Sequence, residues 1–375
     1  MRVLHVISDE NIGGAGVLLT SLLRHFDRER IESAVAMPEG SALEPRVLAL
    51  GVPVFRLRYG ADRLSPLALW ELDTLLSDQR PDLVHTNAAI SARVAARRRH
   101  IPVVHTRHCC FPPSGIWRVG ACRVVGGFFN RRFTDCAIAT AEAARENLRA
   151  LGIPDQRIRV ILNGSDPIRK VDELELEKAR AAWQIPRRAR VVGICARLVP
   201  CKGHDVFLEA AQALCQRTLL SPLHFLIVGE GPERERLEQL CREKGLGDVV
   251  TFTGFVADMA PVYRLLSVNV NCSTGTETSC LALSEGMSAG VPCVVSQYGG
   301  NAAMIGESAA GLLYPAGNAA ALADAIEQVL GNRAQIEAMR RAAYERYLQL
   351  YTAQGMADRV AEVYESIFAN RYGKG

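Results

Sequence analysis

No apolar run in the 375-residue chain approaches the ~20 residues that a helix needs to cross a bilayer. The chain opens directly on a strand-like segment, residues 1–8. A basic leader, a long apolar core and a cleavage site are all missing there. The expected setting is therefore the cytosol, or at most the inner face of a membrane as a peripheral protein. Cys-x-x-Cys pairs are absent as well. The eleven cysteines (109, 110, 122, 136, 195, 201, 215, 241, 272, 280 and 293) are odd in number, and several fall in apolar strands. Buried thiols in a reducing compartment fit that pattern best. Charge is ordinary: 22% charged residues and a net +4 do not by themselves imply a nucleic-acid partner. One absence is local. Between Leu83 and Thr134 no acidic residue occurs, against nine arginines at 93, 97, 98, 99, 107, 118, 123, 131 and 132.

What is present is a rhythm. Short apolar segments alternate with longer helix-period stretches. Residues 3–8, 31–37, 83–86, 103–106, 136–139 and 160–162 read as strands, and the pattern resumes at 191–195, 225–228, 249–252, 268–272 and 293–296. Such alternation predicts α/β architecture, with parallel sheets covered by helices on both faces. Two runs of similar length predict two doubly wound, Rossmann-like domains. The break falls at Asn163-Gly-Ser-Asp-Pro167 before a charged helix. The expected boundaries are 1–168 and 169–351, with a final helix in 352–375.

The densest chemistry lies in the run from Cys272 to Pro292. Glu277 and Glu285 stand with seven residues between them, after an apolar strand and at the start of a helix, about 279–289. A strand, a small-residue loop and a helix N-terminus make an anion site, because free N–H groups and the helix dipole face the same point. Two carboxylates around a bare anion are unfavourable. They suit a diphosphate with hydroxyl-bearing groups on both sides, as in a nucleotide-sugar. Glu-x7-Glu, followed by Gly290-x-Pro292-x-Val294-x-Ser296 and Gly299-Gly300, resembles the donor site of glycosyltransferase family 4, whose members are retaining enzymes of the GT-B fold. The likeness extends over nearly the whole chain.

The resemblance assigns further roles. Arg197 and Lys202 match the family's Arg-x4-Lys-Gly pattern after strand 191–195, and it implies that both cations stabilise the leaving phosphate. Glu277 would orient the donor sugar, and Glu285 would accept from the ribose hydroxyls. The amides of Ser279, Cys280 and Leu281 would receive phosphate. His105, at the end of strand 103–106, would lie near the transferred sugar. Gly13 and Gly14, in Gly13-Gly-Ala-Gly16, would contact the donor phosphate and the acceptor. Read as a dinucleotide fingerprint, that glycine run fails at Leu19, and strand 31–37 runs into Pro38 with no acidic residue. The loops at Gly229 and Val256 would meet the nucleotide base. Asp-x-Asp is absent throughout, which agrees with a transferase needing no metal cofactor. His105, His108, Cys109 and Cys110 also offer a metal reading, but four ligands within six residues fit no standard zinc spacing. Two departures from the family stand out: Thr278 replaces a common glycine, and Ala303 a common glutamate.

The arginine-rich segment, with Trp117, Val124, Val125 and Phe128 interleaved, has two readings. One is a face for anionic lipid through 93–132; the other is a solvated rim around a core helix. Nucleic acid is disfavoured, since no recognition motif accompanies the arginines. The expected function is retaining transfer of a sugar from a nucleoside diphosphate sugar to a carbohydrate or lipid-linked acceptor hydroxyl. A non-catalytic partner subunit and a nucleotide-sugar epimerase of the same fold are the alternatives.

Overall fold

The computed structural model describes every residue except 11–12, 62–63, 109–119, 218–221, 276, 307–308 and 373–375, and no side chains at 120–123 or 370–372. The chain forms two units, one of Met1–Gly164 with Ala353–Gly375, the other of Ser165–Thr352.

The first unit begins β1 (Arg2–Ile7), α1 (Gly14–His25), β2 (Glu32–Pro38), α2 (Glu44–Ala49), β3 (Val54–Leu57), α3 (Pro66–Gln79) and β4 (Leu83–Asn87). It continues α4 (Ile90–Arg98), β5 (Val103–Arg107), α5 (Gly120–Arg132), β6 (Cys136–Ala139), α6 (Glu142–Ala150) and β7 (Ile158–Val160). The second unit runs α7 (Glu173–Ala182), β8 (Arg190–Cys195), α8 (His204–Cys215), β9 (Leu223–Val228), α9 (Arg234–Glu243), β10 (Val250–Gly254) and α10 (Ala260–Leu265). It ends β11 (Leu266–Asn271), α11 (Leu281–Ser288), β12 (Cys293–Ser296), α12 (Asn301–Ile305), β13 (Gly311–Tyr314), α13 (Ala319–Gly331) and α14 (Arg333–Leu350). The last helix, α15 (Ala353–Tyr372), returns to the first unit.

Each unit holds one parallel sheet, ordered β3-β2-β1-β4-β5-β6-β7 in the first and β10-β9-β8-β11-β12-β13 in the second. The strands are near-continuous apolar runs because helices cover both faces. Val192, Ile194, Phe225, Ile227, Val268, Val270 and Val294 form the core between the second sheet and α8 and α13. In both sheets the strand order reverses once, between β1 and β4 and between β8 and β11. At such a point the neighbouring loops diverge and leave a crevice beyond the strand ends.

Several details differ from the sequence reading. Two short strands, β3 and β13, were not anticipated; β3 reads Val-Phe-Arg-Leu and is too brief and too basic to signal itself. The strand expected at 160–162 ends at Val160, although Ile161 still donates its N–H to the Ala139 carbonyl. Residues 165–168, assigned to the first domain from sequence, belong to the second unit. Ser165 bridges Thr352 and takes a 2.9 Å bond from the Tyr347 hydroxyl, and the Ile168 N–H donates to Ser288 Oγ at 3.0 Å. α15 is fixed to the first unit by buried Tyr364, whose hydroxyl lies 2.5 Å from His85 Nδ1, and by an Arg30–Glu365 ion pair. Among the described residues no helix is long and apolar enough to cross a membrane, and the eight described cysteines are free thiols.

Candidate active site

Four of the residues singled out from the sequence gather at the β8/β11 switch point of the second unit. Arg197 and Lys202 lie on the loop after β8, and Glu277 and Glu285 lie after β11, on either side of the start of α11. Local backbone demands explain how the two loops close together. The β8 loop ends in a 3-10 turn, Pro200–Lys202, and Gly203 at φ +66° then opens α8. A Cβ on Gly203 would stand 2.2 Å from the Cys272 carbonyl oxygen, so only glycine lets the loops approach this closely. The Thr274 N–H donates to the Cys201 carbonyl across the same gap, at 2.9 Å.

Lys202 Nζ donates to Glu277 Oε2 at 2.5 Å, and Ser273 Oγ donates to the same oxygen at 2.8 Å. Glu277 is 9% exposed and Lys202 21%. Burial opposes the lysine's charge, but the Glu277 carboxylate and, once alkaline pH ionises it, the Cys280 thiolate outweigh it, and the net shift is upward. Ser273 is itself held. Its N–H donates to Asn271 Oδ1 (2.9 Å), and its carbonyl accepts from Ser296 Oγ (2.7 Å). Asn301 Nδ2 reaches both Asn271 Oδ1 and Ser296 Oγ, at 3.0 and 3.1 Å. Buried polar groups satisfied in this way fix one arrangement of the loop.

The Gly299-Gly300 pair supports the backbone of 277–278. The Gly300 N–H donates to the Glu277 carbonyl at 3.1 Å, and a Cβ at Gly300 would lie 1.7 Å from the Thr278 carbonyl oxygen. Thr278 is buried there, so Gly300 on the opposite strand of the loop makes the room. Ala303 has no side chain to offer a ligand, and its carbonyl accepts from Arg346 at 2.7 Å.

α11 begins at Leu281 and not at Ser279, with Cys280 as its N-cap and no acidic residue in the first turn. The positive end of the helix is therefore uncompensated. Of the three amides expected to face phosphate, that of Cys280 already donates to Met304 Sδ at 3.1 Å, which corrects the sequence reading. The Leu281 N–H has no partner among the described residues. Burial pushes the Cys280 thiol up to about 11, helped by the Glu277 charge, so it is neutral and accepts from Asn271 Nδ2 at 3.2 Å. Glu285 is half-buried on α11, and its Oε2 accepts from the buried Tyr263 hydroxyl at 2.7 Å. Burial raises the Glu285 carboxyl, while the Tyr263 hydrogen bond pulls it back toward the carboxylate. Arg197 is exposed, and its guanidinium makes no hydrogen bond or ion pair among the described residues.

Gly229, at φ +140°, has a packing role. A Cβ there would stand 2.1 Å from the Ala196 carbonyl oxygen, and one at Gly231 would stand 2.3 Å from that of Leu198. The β9 loop thus buttresses the Arg197 loop. Val256 is half-buried against the second unit's core beside exposed Phe255. Only a narrow cavity, ≈ 10 Å³, is enclosed at the switch point, against Lys202, Asn271, Ser273 and Cys280. A larger one, ≈ 380 Å³, opens at the amino ends of the first sheet beside Arg2, Phe26 and Glu32. Its Arg2 and Glu32 pair with each other at 3.0 Å, and it is lined by residues of the first unit alone, none of them singled out from the sequence, so size does not mark the site.

His105, Gly13 and Gly14 belong to the first unit. Gly13 caps α1 at φ −97°, and a Cβ at Gly14 would meet nothing within 4 Å, so neither glycine is forced by packing. His105 does not close its strand. β5 runs on to Arg107, and His105 is buried beside Thr86, with its Nδ1 3.3 Å from the Thr86 hydroxyl. Burial, then the Arg93 and Arg107 charges, hold it neutral well below the usual histidine range. His108, just past the strand, lies 2.7 Å from Asn87 Oδ1. Cys109 and Cys110 lie outside the described residues, among which no group of three His, Cys, Asp or Glu could hold a metal ion.

The arginine-rich segment divides. Buried Arg93 bonds Asn130, Thr134 and the Phe133 carbonyl, Arg97 pairs with Asp135 at 3.2 Å, and Arg99 pairs with Asp73 at 2.6 Å. Those acids lie outside the acid-free window, so the sequence reading overstated the free charge. Arg131 and Arg132 remain exposed on α5, beside Val124 and Phe128 at 67% and 62% exposure. Trp117 and Arg118 lie outside the described residues, and the side chain of Arg123 is not described.

Sequence reasoning missed Ser273, Asn271, Asn301, Met304 and Tyr263. Asn269 and Asn271 carried a signal, being polar residues two apart in an apolar strand; Tyr263 carried none.

Two family models tile the chain: Glycosyltransferase Family 4 over residues 12–169 and Glycosyl transferases group 1 over residues 176–346. A D-inositol 3-phosphate glycosyltransferase of Saccharomonospora viridis is 26% identical over 96% of this chain and 90% of its own length. One from Corynebacterium urealyticum is 32% identical over 62% of this chain, and the match spans only 55% of that relative. Among solved structures, Anabaena HepE in complex with UDP superposes with a TM-score of 0.85 at 22% identity, covering 98% of this chain and 100% of that one. The two α/β units, their strand order and these matches together identify the chain as a glycosyltransferase of family 4 with the GT-B fold.

Proposed function

We propose that the chain transfers a sugar from a nucleoside diphosphate sugar to an acceptor hydroxyl, with retention at the anomeric carbon and without a metal ion. The observation that carries this reading is Lys202 Nζ on Glu277 Oε2 beside the acid-free N-terminus of α11. Lys202, exposed Arg197 and the Leu281 N–H would take the diphosphate, Glu277 the sugar hydroxyls, and Glu285 the ribose. As the bond from the anomeric carbon to the diphosphate oxygen breaks, negative charge grows on that oxygen, where fixed cations lower the barrier. The acceptor oxygen attacks on the same face, and its proton passes to the departing phosphate. Gly229 and Val256 would flank the base, and Gly13, Gly14 and His105 would serve the transferred sugar and acceptor from the first unit.

HepE is described with UDP and with UDP-glucose, which makes a uridine donor the first candidate. A cytoplasmic enzyme of polysaccharide or glycolipid synthesis, with a carbohydrate or lipid-linked acceptor, fits this chemistry. Docking to anionic lipid is assigned to α5, through Val124, Val125, Phe128, Arg131 and Arg132, because Arg93, Arg97 and Arg99 are engaged within the fold.

The test is thermal unfolding in excess EDTA with UDP, GDP, ADP, CMP or NAD. A ligand at about 100 times its dissociation constant adds about 2.7 kcal/mol, a rise of several degrees. One nucleoside diphosphate should produce that rise. Stabilisation by NAD alone, or by none of them, would overturn the reading.

A further inference from the structure

Glu285 sits at the C-terminal side of the switch point with its two oxygens in different situations. Oε2 accepts from the Tyr263 hydroxyl at 2.7 Å, and Oε1 has no bond within the described protein. Tyr263 is fully buried on α10, packed with Val228, Leu226, Leu266 and Val262 in the second unit's lesser core. Packing around the ring fixes the position of its hydroxyl oxygen, and the O–H turns to the acceptor it finds there. On the other side, Gly286 brings α11 so near to β11 that a Cβ there would stand 2.4 Å from Asn269 Nδ2, and Asn269 in turn donates to the Ala282 carbonyl at 2.8 Å. The helix that carries Glu285 is thus locked to the sheet, and the side chain is locked to α10.

A carboxylate free to rotate presents either oxygen to solvent and loses rotamer freedom on binding. One already tethered through a single oxygen loses less. It also presents its remaining oxygen in one direction. We propose that Tyr263 is the positioning residue for nucleotide recognition: it holds Glu285 by Oε2 so that Oε1 faces the ribose, and so sets the preference for ribo- over 2′-deoxyribonucleotides. This rests on the reading of Glu285 as the ribose acceptor. Glu277 is arranged the same way, with Oε2 taken by Ser273 and Lys202. The two acids would then each be aimed by a buried hydroxyl.

The probes are the tightest-binding of UDP, GDP and ADP and its 2′-deoxy counterpart, with affinity measured by calorimetry on the full chain. The unaltered protein should favour the ribonucleotide about tenfold, the size of one good hydrogen bond. Tyr263→Phe should bring the ribonucleotide down to the level of the deoxynucleotide, leave the deoxynucleotide unchanged, and raise the donor KM with little change in kcat. Equal loss for both nucleotides would mean a general packing defect, and an unchanged ribo preference would mean that Tyr263 does not aim Glu285. Either overturns the proposal. Glu285→Gln separates the two layers. If it keeps the ribo preference, the reading of Glu285 itself fails; if it loses the preference while Tyr263→Phe keeps it, only the role of Tyr263 fails. Unfolding temperatures are recorded first, and Tyr263→Met takes the place of a phenylalanine variant that does not fold.

Discussion

At the carboxyl ends of its strands the second unit gathers ions, Lys202 with Glu277 and Glu285 with its tyrosine, on loops held together by glycine contacts. The first unit, with the same strand order about its switch point, encloses a small cavity there lined by neutral groups. Asn87, Thr106, His108, Thr140 and Asn163 line it with Met356 and Val360 of α15. Burial keeps His5, His85, His105 and His108 neutral, and several of the unit's charges are spent on structural ion pairs such as Arg99–Asp73 and Arg145–Asp155. One fold therefore supports two chemistries. The sheet supplies a crevice, and the residues on its loops decide what enters. A site for a dianionic leaving group needs fixed charge. Neutral donors and acceptors suit a hydroxyl-rich partner.

The sharpest break in this comparison is Glu277→Ala. Turnover should fall by about 10²–10³-fold, as when one preorganised electrostatic group is removed. Nucleoside diphosphate binding should hold or tighten, because Lys202 loses the carboxylate it pairs with. A variant that transfers sugar at the normal rate would show that the charged pair of the second unit is not its catalytic centre. A chain that binds nucleotide but never turns over, even unaltered, would be the non-catalytic subunit.

Acid distinguishes the units next. His5 is buried with neither ring nitrogen bonded, and burial lowers it to about 3; His108 falls to about 4, and His85 and His105 lie well below the usual value. These groups stay neutral when folded and take up protons when unfolded. Their contribution is complete above the unfolded value of 6.5 and is lost as pH falls from there toward the folded values. Each can cost up to about 1.4 kcal/mol per pH unit. The second unit has only His204, lowered to about 4, and His224. Between about pH 6.5 and 5, above most of the carboxylate range, hydrogen exchange should therefore show the first sheet opening ahead of the second. His5→Phe should reduce the difference. Equal acid sensitivity of the two sheets would remove this contrast.

The smallest effect concerns α5. Replacing Val124 and Phe128 by serine exposes nothing new, so stability should shift by no more than about 0.5 kcal/mol. Co-sedimentation with vesicles containing phosphatidylserine should drop, and more so than with neutral vesicles. Vesicle binding unchanged by the replacement would leave α5 as a solvated surface of the first unit.

The alternation of apolar segments and helix-period stretches was enough to predict two parallel α/β sheets, because strands buried on both faces must be apolar throughout. Glu277, Glu285, Arg197 and Lys202 were legible for a similar reason: each lies between an apolar strand and the end of the helix that follows it, in a segment whose small and apolar residues give charge little other cause. Boundaries were less legible. Residues 165–168 look like linker, and only the Ser165–Thr352 bridge and the Ser288 bond draw them into the second unit. The arginine segment misled, because its neutralising acids, Asp73 and Asp135, lie outside it in sequence.

By itself, then, the sequence determined the class of fold, the family and the charged residues that the structure places at the β8/β11 switch point, since local period, local spacing and residue chemistry are all written along the chain. Tertiary structure decided which oxygen of each carboxylate is committed, that Met304 and not a ligand takes the Cys280 amide, and that Tyr263 aims Glu285. Those are contacts between residues 22 to 75 positions apart. Hydrogen bonds of that kind depend on distance and angle in space, and no pattern along the chain encodes them until the sheet has brought its strand ends together.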